Sequence, residues 1–508
     1  MTYELNLAIL LGAAVVLAGA VAVRLSTRIG LPSLLVYLGF GLALGESGLG
    51  IHFDNAELTR HLGLAALIVI IAEGGLSSRW SAVRRGLGAA ALLATFGVLV
   101  SVAVLGSLVH VLLGYGWQLS LLYGAVLSPT DAAAIFATLR RLPLRPRLAA
   151  TLEAESGLND AIAVLLVVAL SASHVHFGWL QAFEAIGELI GGAAIGLAVG
   201  FAGAWTLRRI ALPAVGLYPL TAVGLTVLAY AIGSLAHTSG FIAIYMAGIV
   251  LGNARLPHRQ SIHGFADGLG WLAQIGLFVL LGLLASPPRL VHALVPGLVV
   301  GAVMLFLARP VSVVASLIPW RYPWREQGFL SWAGLRGAVP IVLATIPLSE
   351  RFPGATALFD VVFVVVVIFT IVQGTTLPPV ARLARVTVDS QPTDLQVETA
   401  PLDRMNADLL ELDIPRGSKL NGVHLDELRL PVGAVVTMVT RDGKAFVPDR
   451  GTRLKVGDSL LIVASEHVRD ATADRLTAVS DRGLLARWLP DDMPPSGGRH
   501  PPRHDRRR

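Results

Sequence analysis

The sequence predicts an all-α polytopic membrane protein of about thirteen spans, built as inverted repeats with two interrupted helices, followed by a small cytoplasmic α/β domain. Three observations carry this prediction. The 508 residues are 54% hydrophobic and only 15% charged, where a soluble protein usually carries about 25% charged residues. The apolar residues fall in uncharged runs of about 20, the length a helix needs to cross a bilayer. The arginines alternate in density from one inter-run loop to the next, as membrane topology requires.

The apolar runs extend over approximately 5–23, 32–49, 61–78, 86–113, 117–139, 147–173, 181–207, 214–236, 239–254, 267–285, 291–318, 327–349 and 356–381. The first is read as a retained helix rather than a signal peptide, because MTYEL lacks a positive n-region and Arg24 and Arg28 follow the apolar run. Loops after odd-numbered runs hold most of the arginines, including Arg79, Arg84, Arg140, Arg208, Arg255, Arg321 and Arg382. Loops after even-numbered runs hold only Arg60, Arg289 and Arg351. The positive-inside rule then places the N-terminus in the periplasm and the C-terminus in the cytoplasm of a bacterial inner membrane. The net charge of +6 is distributed among these loops, so no nucleic-acid partner is expected. The absence of cysteine excludes disulfides and thiolate metal sites.

Composition changes near residue 386: after it lysine appears for the first time, at Lys419, and long apolar runs stop. Residues 5–385 form the expected membrane domain, 386–402 a polar linker and 403–478 a soluble domain. Within it, Leu409–Ile414, Ala434–Arg441 and Ser459–Ala464 read as strands, with Asp442-Gly443 as a hairpin turn. The tail 490–508 is rich in Pro, Gly and Arg and is expected to be disordered.

The informative residues are ionisable groups inside apolar runs, each costing at least about 2.5–3.5 kcal/mol at the centre of a span. Ser128-Pro129-Thr130-Asp131 lies in the fifth run. Pro129 interrupts helical hydrogen bonding, freeing carbonyls beside the Asp131 carboxylate, an oxygen set suited to a hard cation. The plainer alternative is a proline kink with Asp131 paired to an arginine. Glu155, Ser156, Asn159 and Asp160, early in the sixth run, share an arc of about 140° on a helix. The alternative is a cytoplasmic helix end after Arg147; Glu153 fits that description, whereas Asp160 is followed by ten apolar residues. In the twelfth run, Gly334-Leu335-Arg336-Gly337-Ala338-Val339-Pro340 reads as a second interrupted helix. Two such breaks in separate halves point to an inverted-repeat transporter with a midplane site. Arg336 requires an anion, for which Glu73 is the candidate. Glu73 could instead be an interfacial residue paired with Arg79.

At these clusters the chain resembles the cation:proton antiporter family, in its electroneutral NhaP-type branch, over about residues 5–385. The matching motifs are Thr130-Asp131, Glu155-Ser156 with Asn159-Asp160, Gly334–Ala338 and Glu73–Gly75. The resemblance implies thirteen helices in two inverted repeats, homodimers, and cation binding by Asp131, Ser156 and Asp160 with the Thr130 backbone. It implies that Glu155 and Asn159 shape the site and that Glu73 and Arg336 form a structural ion pair. The soluble domain resembles the TrkA C-terminal regulatory module at Ser418, Leu420, Gly422, Leu425, Leu428, Arg441, Gly443, Pro448, Gly457 and Asp458. Such modules often dimerise and bind small anionic ligands. Arg441 could equally be an ordinary exposed hairpin residue.

The expected activity is exchange of potassium or sodium for a proton, with Asp160 and Asp131 as carriers and no cofactor. A buried carboxylate holds a proton or helps hold a cation, not both well. Asn159 does not titrate, which leaves one proton carrier on this helix and points to electroneutral exchange. Potassium is favoured over sodium or lithium because the attached module resembles those of potassium systems. A channel would show a carbonyl filter such as TVGYG, and a hydrolase an HExxH or GxSxG motif; the sequence has none of these.

Overall fold

The computed structural model describes residues 33–45, 55–84, 86–131, 144–172, 179–387, 397–402, 407–415, 417–465 and 468–483, with isolated positions at 6–21, 50 and 135. Two compact units result, Met1–Val388 and Asp389–Arg508.

The first unit is helical. Its elements are α1 (Ser33–Leu44), α2 (Ala56–Ser77), α3 (Leu87–Leu113), α4 (Trp117–Leu127), α5 (Pro146–Ser171), α6 (Trp179–Arg209) and α7 (Leu217–Leu235). They continue with α8 (Gly240–Asn253), α9 (Arg259–Leu284), α10 (Pro287–Trp320), α11 (Trp324–Trp332), α12 (Val339–Ser349) and α13 (Ala355–Ala384). Among the described residues, eight helices are long and apolar enough to cross a membrane. Each predicted run from the second onward contains a helix, and the described positions of the first that have an assignment are helical. Helix α9 begins at Arg259, earlier than the apolar run that announced it, because its first turns are amphipathic (RQSIHGFAD) and give no continuous apolar signal.

Two groups of helices are visible in the packing. Helix α8 packs against α2, α6 and α7, and α9 against α1 and α2. The other group is α3–α5 with α10–α13, around the buried Tyr123, Leu127, Val167, Met304, Leu343 and Phe359. Within this second group one order of elements occurs twice. A long helix with a π-turn (α3 at Leu93–Gly97, α10 at Met304–Ala308) precedes an interrupted helix, and a long helix follows. The two π-turn helices are tied together where Ser312 Oγ donates to the Gly97 carbonyl over 2.7 Å. π-turns are uncommon and gather at functional positions.

The second unit is a five-stranded antiparallel sheet with a helix. Its strands are β1 (Val397–Leu402), β2 (Ala407–Asp413), β3 (Ala434–Arg441), β4 (Lys444–Phe446) and β5 (Ser459–Ser465), in the order β1-β2-β5-β3-β4, followed by α14 (Arg469–Arg482). Strand β5 alternates buried and half-buried residues along its whole length, and Leu460, Ile462 and Ala464 enter the core with Leu410, Leu412 and Leu476. The β3–β4 turn holds Asp442 and Gly443 at φ 51° and 75°, the left-handed pair a two-residue hairpin requires. Strand β1 occupies residues read as linker. Its six residues pair with β2 at the sheet edge, where a proline such as Pro401 is tolerated because the outer face needs no donor. The rest of the linker, 388–396, and the tail 490–508 lie outside the described residues.

Arg441 is not a free hairpin residue. Its Nε and Nη2 grip the Asp458 carboxylate at 2.7 Å each, and Nη2 also donates to the Arg453 carbonyl at 2.9 Å. Burial alone would raise the Asp458 carboxyl, but hydrogen bonds from Arg441 and the Lys455 amide, with the neighbouring positive charge, hold it below its ordinary value. A carboxyl depressed on folding stabilises in full above its unfolded pKa and loses that contribution as pH falls through the folded one. Arg441→Ala is therefore expected to destabilise this unit by about 1–3 kcal/mol at neutral pH and by much less in strong acid. Amide-exchange protection of β3 and β5 in the full chain, compared with wild type at each pH, measures this. An equal difference at both pH values would separate the effect from Asp458 ionisation.

Candidate functional site

Both expected interruptions are present, and they meet. Helix α4 ends at Leu127, and Ser128 to Asp131 follow without helical structure, with Ile135 helical beyond. Pro129 carries no amide hydrogen, so the ladder cannot pass through it. Helix α11 ends at Trp332, residues 333–338 are non-helical, and α12 resumes at Val339 with Pro340 in its first turn, where proline is tolerated. Residues 132–134 and 136–143 lie outside the described residues.

A chain opened within a bilayer must have its peptide groups satisfied by protein. Here each gap satisfies the other. The Asp131 amide donates to the Leu335 carbonyl over 2.8 Å. Arg336 Nε donates to the Leu127 carbonyl over 3.1 Å, at the C-terminus of α4, and its Nη1 donates to the Gly334 carbonyl. A guanidinium suits this position because a helix C-terminus carries partial negative charge. Helix α13 supports the second gap: Thr370 Oγ1 donates to the Arg336 carbonyl over 3.0 Å and Gln373 Nε2 to the Trp332 carbonyl over 2.8 Å. Gly337 lies against Asp131, and a Cβ there would collide with the Asp131 carboxylate.

Helix α5 faces this crossing with the polar residues its periodicity foretold. Glu155, Asn159 and Asp160 are buried and Ser156 is half-buried. Asn159 Nδ2 donates to Thr130 Oγ1 over 2.8 Å, fixing α5 to the first gap. Among the described residues, Asn159 Oδ1 and Asp160 Oδ1 are buried oxygens with no hydrogen-bond partner. Asp131 is the charged neighbour that acts on Asp160. Two carboxylates, a hydroxyl and an amide oxygen thus gather where two helices are open, a donor set of hard oxygens that suits a monovalent cation or a proton.

The expected Glu73–Arg336 pair is corrected. Arg336 is satisfied by backbone carbonyls, and its charged neighbours are Arg309 and Glu155. Glu73 accepts from Ser77 Oγ over 3.0 Å and packs on Gly270 of α9. The deeply buried ion pair joins Glu155 to Arg309 of α10 in bidentate form, at 2.5 and 3.0 Å, with both side chains at most 4% exposed. Arg309 directly follows the α10 π-turn and also donates to the Leu330 carbonyl over 3.4 Å. Sequence reasoning passed over Arg309, although an arginine inside the apolar run 291–318 was a visible signal. It also passed over Asp360 of α13, buried and paired with Arg289 at 3.3 Å.

Removing one partner of a buried pair leaves an uncompensated charge, at about 3–5 kcal/mol. Glu155→Ala and Arg309→Ala are each expected to lower the thermal midpoint in detergent strongly, and Glu73→Ala only slightly. Equal losses for all three would contradict this assignment.

Comparison with known proteins bears on the whole chain. The family profile described as sodium/hydrogen exchanger, transmembrane, matches residues 12–383, and the TrkA-C domain profile matches residues 409–477. The K(+)/H(+) antiporter NhaP of Alkalimonas amylolytica is 36% identical over 493 residues, covering 95% of this chain and 85% of that protein. The Na(+)/H(+) antiporter 1 of Methanocaldococcus jannaschii is 30% identical over 358 residues, covering 67% of this chain and 83% of that protein. The solved structure of the sodium proton antiporter MjNhaP1 from the same organism superposes with a TM-score of 0.66 at 23% identity, over 75% of this chain and 99% of that one.

Proposed function

The chain belongs to the sodium/hydrogen exchanger family, and from that premise we propose that it exchanges potassium for protons electroneutrally across the inner membrane, with Asp160 as the carrier. The observation that carries this is Asp160 itself: buried in α5, with an oxygen that has no partner among the described residues, beside Asp131 at the crossing of two open helices. A carboxyl in such a place binds a proton or a cation in competition, and that competition couples the two fluxes. Rocking of one helix group against the other would expose the site alternately to each side.

The charges around the crossing support a one-for-one exchange. Glu155 is neutralised by Arg309, while Asp160 has an oxygen with no hydrogen-bond partner among the described residues and so keeps its own unit of negative charge when ionised. One proton or one monovalent cation neutralises it. Asn159 donates to Thr130 through Nδ2 and, being an amide, adds no second titrating carrier. Asp131, Ser156 and Thr130 would complete the cation's oxygen shell. The arginine-rich loops favour a cytoplasmic C-terminus, and the family likeness favours a homodimer.

Potassium is preferred because the relative at 36% identity is named a potassium exchanger and because a TrkA-C domain is attached. Sodium is the alternative, supported by the relative at 30% identity. Everted vesicles lacking other antiporters, given potassium, sodium or lithium at matched pH, decide between them. Wild type is expected to dissipate the pH gradient most readily with potassium and to be indifferent to an imposed potential. Asp160→Asn and Asp131→Asn are each expected to abolish exchange in inserted, folded protein. Exchange by Asp160→Asn would remove it as the carrier, acceleration by potential would show unequal charge movement, and sodium or lithium exchange without a potassium response would reassign the ion.

A further inference from the structure

Tyr245 of α8 is 3% exposed, and among the described residues its hydroxyl has no hydrogen-bond partner. Buried hydroxyls are almost always satisfied, so an exception needs an explanation. The ring does not merely fill a gap between apolar side chains. It lies on the backbone of α5 at Gly157, where an added Cβ would come within 2.5 Å of Tyr245 Cε2 and closer still to Cζ and the hydroxyl. Any residue other than glycine would push the ring away.

The place matters because of what shares that face of α5. Positions three or four apart on a helix are neighbours, so Glu153, Gly157 and Asp160 form one stripe. The hydroxyl over Gly157 lies between a carboxylate near the start of α5 and Asp160 deeper in. The groups that act on it are Ser78, just past α2, and Glu153 and Asp160 on α5. Ser78 and Arg79 are in turn the neighbours of Glu153. Ser78 Oγ donates its own hydrogen to the Gly74 carbonyl over 2.7 Å, so its approach to Tyr245 leaves the tyrosine oxygen's lone pairs open on the Glu153 side of Asp160.

We propose that Tyr245 is a specificity-determining residue of the cation path: its hydroxyl supplies a neutral oxygen to the cation on the Glu153 side of Asp160, and Gly157 is the position that admits it. This rests on the exchange reading above. A hard cation leaving water requires oxygen ligands, and a hydroxyl on a rigid ring, pinned over a helix backbone, cannot close in on a smaller ion. The larger cation is therefore favoured.

The test uses the full chain in proteoliposomes, with wild type, Y245F, G157A and Asp160→Asn assayed in potassium, sodium and lithium chloride. Y245F keeps the ring on Gly157 and deletes one neutral oxygen. Its apparent KM for potassium is expected to rise about three- to ten-fold, with less change for lithium and a smaller change in maximal rate. G157A, which displaces the ring, is expected to raise the same KM. Y245F with wild-type KM values and cation ratios overturns the inference, as does a fall in maximal rate alone, because only packing would then be at stake. Exchange by Asp160→Asn would instead overturn the carrier assignment, so the two failures are distinguishable.

Discussion

The first unit depends on two open helices satisfying each other. Inside a bilayer a peptide group without a partner is expensive, and no water is at hand to supply one. The Asp131 amide reaches the Leu335 carbonyl, and the Arg336 guanidinium covers the end of α4 at Leu127. These contacts let the chain leave helical geometry at two neighbouring places without leaving buried donors and acceptors stranded. They also fix where Asp131 stands, because its backbone is held while its carboxylate lies against Gly337. The site is thus a by-product of repairing two broken hydrogen-bond ladders with one set of contacts.

Around this crossing, charge is arranged in two classes. Glu155 and Arg309 are committed to each other through two hydrogen bonds, and Arg336 to carbonyl oxygens. These groups are held by their partners, and Arg309 keeps one buried donor, its Nε, without a partner among the described residues. Asp160 and the Asn159 carbonyl oxygen are buried and uncommitted among the described residues. A buried polar network is secure when all its members are paired, and an unpaired member calls for an explanation. The separation runs along a single helix, with Glu155 and Asp160 on α5 given opposite tasks by their partners. The paired π-turns near Gly97 and Ser312 place Arg309 where it can reach Glu155.

Much of this was legible in the sequence because the signals are local. Pro129 and the Gly334–Pro340 run announced the breaks, a polar arc on an apolar helix announced α5, and short strand-forming runs with a hairpin turn announced β2, β3 and β5. What was misread depended on partners distant in sequence. Arg336 was expected to need a carboxylate, but a helix terminus offers carbonyls that serve as well, and nothing local distinguishes the two. The true partner of Glu155 is 154 positions away. Tyr245 read as one more apolar-run residue, since only the packing of α8 on α5 reveals its hydroxyl. Strand β1 was missed because an edge strand is defined by its neighbour β2 rather than by its own pattern.

The crossing also sets an order of events during biosynthesis. Leu127 and Arg336 are 209 positions apart, so the first gap is synthesised long before its partner exists. At about 5–20 residues per second, the ribosome needs roughly 10–40 s to cover that interval. Through that time the end of α4 and the Asp131 amide must borrow other donors and acceptors, from lipid headgroups, water or the translocation machinery. Helices α3–α5 therefore do not complete their hydrogen bonding by themselves. Their assembly waits for the second half of the membrane domain, and quality control that senses unsatisfied polar surface would find its target here in any chain whose synthesis stops before α11.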